Sequence, residues 1–199
     1  MADILQTVKR VLSSPSARRI DFHLGLINVD AAGLAAIHSL VSVGTISVKV
    51  VKSTDMVDAG VESQYDPTTN SLQFIRADYG SDDYSEEAGI VHECIHGLHD
   101  FYGAGYYYPR RGGANFITRS ENEAAAYLAA SLYFLYETGK PPEGDGVFDI
   151  AGMIAKRIMN KRGAFVTPAE ANALRIAIAL HPIYRSKFGV GTLTTADGP

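Results

Sequence analysis

The strongest chemical signal in the chain is His92, Glu93 and His96, in the order H-E-x-x-H within AGIVHECIHGLHD at 88–100. On a helix, positions i and i+4 share one face one turn apart, so both imidazoles point the same way. Two neutral imidazole nitrogens at that spacing can hold one Zn²⁺ at about 2.0–2.1 Å each. Glu93 follows the first histidine, which sets its carboxylate beside the place of a metal-bound water. That is the position of a general base in metal-assisted hydrolysis.

A catalytic zinc takes three protein ligands and keeps a fourth position for water. His99 shares the histidine face but lies about 10.5 Å from His92 along the axis. It therefore reads as the edge of a cleft or an outer hydrogen-bonding partner. Asp100, one turn beyond His96, either orients that imidazole or is exposed. Glu121 and Glu123 are better third ligands, because they open the next helix and can face back toward the first. Close approach needs small neighbours: Ala126 and Ala130 follow Glu123 at helical spacing, whereas Ala124 and the larger Leu128 follow Glu121. This favours Glu123, with Glu121 as alternate. The same stretch fits a capping box, as Thr118 with Glu121 or Ser120 with Glu123, so one glutamate can cap while the other binds. His23 and His38 read as core or surface histidines rather than ligands. Cys94, the single cysteine, reads as a buried small hydrophobe.

These residues depend on the elements that hold them. Residues 85–101 are expected to be helical, with Ser81 and Ser85 as available N-caps and Asp82, Asp83, Glu86 and Glu87 favouring the N-terminus. Ile90, Val91, Cys94, Ile95 and Leu98 cover the other faces, which implies a helix buried nearly all round. Upstream, the pattern gives a helix at 3–12, a short strand or turn at 20–28, and a helix from the Asp30 cap to Val43, stopped by Gly44. A strand at 45–52 and a hairpin at 62–76, turning at 66–70, follow. Downstream, 102–118 is a loop placed as a rim or lid, with Tyr106, Tyr107 and Tyr108 able to donate to an oxyanion but more suited to packing. Helices are expected at 119–136, 147–160 and 168–181, the last opened by Thr167, Pro168 and Glu170. The tail over 185–199 becomes irregular.

At 199 residues, with 46% hydrophobic and 20% charged residues, the chain fits one globular domain and excludes wholesale disorder. A net charge of −4 gives no electrostatic reason for nucleic acid or an anionic membrane as partner, and the Arg110–Arg111 pair is too small to change that. One cysteine rules out an internal disulfide and agrees with a reducing compartment. The N-terminal segment lacks an apolar signal-peptide core, and no apolar run is long enough to span a bilayer. The expectation is a soluble cytoplasmic protein; secretion without a cleaved signal leaves the same sequence.

His92-Glu93-x-x-His96 followed by Asn122-Glu123-Ala124 resembles the gluzincins, zincin metallopeptidases whose third ligand is a glutamate on a later helix. The Asn-Glu-Ala order is similar to the thermolysin and aminopeptidase branches. Glu121-x-Glu123-Ala124 also looks like small bacterial metallopeptidases in which the first glutamate is the ligand. The resemblance spans roughly 45–137. It departs from the metzincin pattern, since positions 99 and 102 are His and Tyr, and the 27-residue step from His96 to Glu123 exceeds that of compact gluzincins.

The resemblance implies an α+β, zincin-like single domain over 1–199: a small β-sheet, the metal-binding helix and a mostly helical C-terminal half. The expected activity is zinc-dependent hydrolysis of a peptide or amide bond in a peptide or protein substrate. His92, His96 and Glu123 (alternate Glu121) would be the ligands and Glu93 the base. The alternative is a non-catalytic zincin-fold binding or regulatory module with structural zinc. A closed structural site would recruit a fourth protein ligand such as His99, and would need no Glu93. Substrate specificity and oligomeric state leave no mark in the sequence.

Overall fold

The histidine motif lies on α3, Tyr84–Tyr102, one residue longer at each end than expected. The computed structural model describes residues 3–56, 60–102, 117–144, 146–185 and 193–194. Before α3 come α1 (Ile4–Ser13), β1 (Phe22–Leu24), β2 (Ile27–Val29), α2 (Ala31–Val43), β3 (Ser47–Val50), β4 (Ser63–Asp66) and β5 (Ser71–Phe74). After it come β6 (Ile117–Thr118), α4 (Arg119–Thr138), α5 (Gly146–Ile158), β7 (Ala164–Phe165), α6 (Pro168–Leu180), α7 (Pro182–Arg185) and β8 (Leu193–Thr194). The class is α+β with helix predominating. Strands β3-β5-β4 form the small sheet just before α3, and β6 pairs with β8. A second three-stranded sheet, β2-β1-β7, was not anticipated; in it β7 returns from the C-terminal half to pair parallel with β1. Among the described residues, no helix is long and apolar enough to cross a membrane. The Tyr106–Tyr108 loop and most of the 185–199 tail lie outside the described residues.

Local chemistry accounts for the element ends. The Asp30 carboxylate accepts from the Gly33 N–H, and Gly44 closes α2 with φ at 80°, a conformation that costs glycine little. Thr167 and Glu170 form the expected capping box at α6. At α3 the cap is Asp83 rather than Ser81 or Ser85: its carboxylate accepts from the Ser85 N–H at 2.7 Å. A charged acceptor at that end also interacts favourably with the helix dipole.

α3 is the core's central element. Ile90, Val91, Cys94 and Ile95 are fully buried and Leu98 nearly so. Burial pushes the Cys94 thiol well above its ordinary range, consistent with an inert packing residue. Near its N-terminus, buried Glu87 takes Arg10 Nη2 at 2.7 Å and the Tyr133 hydroxyl at 2.6 Å. That carboxylate joins α1, α3 and α4, and truncating it would leave the buried Tyr133 hydroxyl without its acceptor.

One face of α3 lies against β4. Gly89, Glu93 and Gly97 recur every four residues along it. A methyl on Gly89 would meet the Tyr79 hydroxyl at 2.6 Å, and one on Gly97 would meet the Tyr65 ring at 3.3 Å. The two glycines let the strand come close enough for Glu93 to reach it.

Candidate metal centre

α3 and α4 bring together His92, His96 and Glu123. His92 Nε2 and His96 Nε2 are 3.1 Å apart, and Glu123 Oε2 lies 3.4 Å from the first and 3.6 Å from the second. Two ligands bound at about 2.0–2.2 Å and at the tetrahedral angle are separated by about 3.3–3.6 Å. The three donor atoms thus outline one face of a tetrahedron around a single zinc-sized ion, with the fourth corner left for another ligand. Among the described residues this is the group whose donor atoms converge in this way.

The small-residue argument for Glu123 does not discriminate, because Ala124, Ala126, Leu128 and Ala130 are all buried. Capping decides it. Glu121 is the N3 residue of α4, and its carboxylate turns back to Thr118, accepting from the backbone N–H at 2.9 Å and the hydroxyl at 2.8 Å. Its other oxygen lies 3.4 Å from Arg175 Nη1. Glu123, two residues on, faces α3 instead.

Electrostatics single out the same oxygen. Glu123 is held far below the usual carboxylate range: burial opposes ionisation, but both imidazoles outweigh it. His96 is pushed up to about 9 despite its burial, because the Glu123 charge stabilises its protonated form. The His96 proton satisfies the demand for positive charge that a metal cation would meet, so entry of a metal there would be coupled to proton release.

Asn122 orients the site. Its Oδ1 accepts from His96 Nδ1 at 3.1 Å and from His99 Nδ1 at 2.6 Å. A carbonyl oxygen only accepts, so both Nδ1 atoms carry protons, and the His96 Nε2 is the atom turned toward Glu123. Asp100 does not orient His96; its carboxylate accepts from the Tyr65 hydroxyl at 2.7 Å. His99 is buried, outside the converging donor group, and its Nε2 has no hydrogen-bond partner among the described residues. Burial lowers its pKa to about 4, which keeps it neutral.

Comparison with protein families, with curated proteins and with solved structures returns no match to this chain.

Two tyrosines complete the surroundings. The Tyr184 hydroxyl, from α7, donates to Glu123 Oε2 at 3.0 Å and lies 3.2 Å from the Tyr127 hydroxyl. The Tyr127 ring meets the His92 ring edge-on, with centroids 4.7 Å apart. Neither lies in the 102–118 loop, where the sequence has its run of consecutive tyrosines. Tyr127 was visible four residues after Glu123, one helical turn along the same face; Tyr184 carries no local signal. His23 stacks on Phe165, and neither it nor His38 belongs to the site.

Glu93 is buried on the adjacent face. Oε2 accepts from the Tyr65 backbone N–H at 2.8 Å, and Oε1 accepts from the Ser63 hydroxyl at 3.3 Å, which itself lies 3.4 Å from the Tyr79 hydroxyl. Burial raises the carboxyl's pKa, partly offset by His92 and His96. The alternation of the hairpin explains the Tyr65 contact: Ile75 N–H bonds to Glu62 C=O, so in the antiparallel ladder the backbone N–H of Tyr65 points outward, toward α3.

Proposed function

We propose that this chain is a zinc-dependent hydrolase of peptide or amide bonds. His92, His96 and Glu123 are its metal ligands and Glu93 its proton carrier. The observation that carries the reading is the spacing of the three donor atoms, with a fourth position free of protein ligands among the described residues. Zn²⁺ bound there would lower the pKa of a coordinated water to about 7 and polarise a carbonyl.

The residues have distinct tasks. Asn122 fixes the His96 ring by its Nδ1–H, and Tyr184 restrains the Glu123 carboxylate. Glu93, raised above the ordinary carboxylate range by burial, is tuned toward taking a proton from an attacking water and returning it to a leaving amine.

A second reading, a non-catalytic module with structural zinc, is favoured by one observation: both Glu93 oxygens already hold β4. Elemental analysis and a peptide-library assay on wild type, Glu93→Gln and Glu123→Gln separate the two. Gln at 93 keeps an acceptor for Tyr65 N–H and a donor for Ser63. The hydrolase reading expects one zinc per chain in wild type and E93Q, loss of zinc in E123Q, and turnover by wild type alone. Zinc in wild type with no turnover of any library peptide, or turnover undiminished in E93Q, refutes the role given to Glu93. Absence of zinc from wild type purified without chelator refutes the site.

A further inference from the structure

A second site lies at the other end of α4. Tyr136 is 13 residues beyond Glu123, about 20 Å along the helix axis. It lines a cavity of about 460 Å³ between the 17–19 turn, the start of α2 and the turn at 160–162. We propose that this cavity binds a small organic phosphate ester.

Three of the lining residues form a closed hydrogen-bond circuit. The Asn160 N–H donates to the Tyr136 hydroxyl at 3.2 Å, and that hydroxyl donates to the Arg19 carbonyl at 3.4 Å. Arg19 Nη2 donates to Asn160 Oδ1 at 2.6 Å, and its guanidinium lies 4.0 Å over the Tyr136 ring. Asn160 adopts φ 64°, a left-handed conformation that asparagine tolerates better than most residues. The circuit holds one guanidinium in place while leaving most of its five N–H donors unspent.

Three further cations line the same cavity: Arg18, Lys161 and Arg162. None has a carboxylate within ion-pair distance among the described residues. Against them stand Asp21 and Asp30, the latter occupied as the α2 cap. The lining thus carries a surplus of two positive charges, four cations less two carboxylates, in a chain whose net charge is −4. Ala31 and Ala32 add the first backbone N–H groups of α2, which have no partner within the helix. A surplus of two suits a dianionic phosphate monoester, and guanidinium forks match its oxygens. The volume leaves room for the organic part of a small ligand. The cations come from segments some 140 residues apart, so sequence inspection shows two ordinary basic pairs.

The test is calorimetric titration of the full chain at low salt with ribose 5-phosphate. Citrate and a short oligothymidylate serve as comparison anions. One ribose 5-phosphate per chain is expected to bind. The double variant Arg18→Glu, Arg162→Glu should weaken it roughly a hundredfold, because each replaced cation is worth about tenfold or more. Both side chains are exposed, so an unchanged melting temperature verifies the fold. Arg19→Lys keeps the charge but breaks the fork, and should weaken binding about tenfold. Four results would overturn the proposal: no ribose 5-phosphate binding, equal binding by the folded double variant, citrate binding as tightly, or oligothymidylate binding that ribose 5-phosphate does not displace. Zinc content and turnover should be the same in these variants as in wild type, which separates this site from the α3–α4 centre.

Discussion

Replacing Asn122 with leucine tests the orientation of the site most directly. Leucine keeps the approximate volume but removes the oxygen that accepts from His96 and His99. His99 is buried, so its Nδ1–H loses its partner without gaining water; His96, partly exposed, is partly compensated by solvent. A buried donor left unsatisfied costs about 1–3 kcal/mol, which puts the combined loss at about 2–4 kcal/mol. For a chain of this length that lowers the melting temperature by about 5–15 °C. Zinc affinity should fall about 10–100-fold, the usual consequence of removing the group that holds a ligating imidazole. Thermal unfolding of metal-free protein gives the first quantity, and competition with a chromophoric chelator the second. Asn122→Asp restores an acceptor and should recover most of the affinity. Unchanged affinity in a folded N122L variant would refute the assignment of Asn122 as the group that orients His96.

Other perturbations separate roles that lie close in sequence. Glu121→Ala should cost about 0.5–2 kcal/mol in chemical denaturation by opening the α4 capping box while leaving zinc stoichiometry intact; loss of zinc would reassign the third ligand. Gly89→Ala should destabilise by about 1–3 kcal/mol, since the new methyl collides with the Tyr79 hydroxyl, whereas Gly146→Ala, which meets no neighbour, should be nearly neutral by the same denaturation assay. His99 titrates near 4 in the fold against 6.5 ordinarily, so between those values the unfolded chain binds more protons and stability falls as pH falls. Its share approaches about 3 kcal/mol by pH 4. A His99→Gln variant, which still donates to Asn122, should show a shallower loss over that window, and parallel curves would exclude His99 as the titrating group.

The elements that position the site were legible because local rules decide them. α3 announced itself by its apolar surround and acidic first turn, and α6 by a capping box with proline. Thr118 and Glu121 supplied an equally plain box, and recognising which box forms is what frees Glu123 to face α3. The orienting group was not legible: Asp100 is the nearer carboxylate in sequence, but its position carries it to Tyr65, and Asn122 reaches His96 only because α3 packs on α4. Tyr184 shows the same limit, since its contact with Glu123 spans 61 residues. The sheet β2-β1-β7 depends on strands of two or three residues, too short to show a period.

The Glu93 contact with β4 has a consequence for solubility. An outer strand with unpaired amides is a template on which other chains can polymerise. Here a helix-borne carboxylate occupies the Tyr65 amide from inside the same molecule, acting as a stopper on that template. Truncation to alanine would therefore do more than remove the proposed proton carrier: it would uncap a growth point. Ordered self-association of a Glu93→Ala protein, absent from its glutamine counterpart, would reveal a residue selected as much for keeping molecules apart as for any reaction between them.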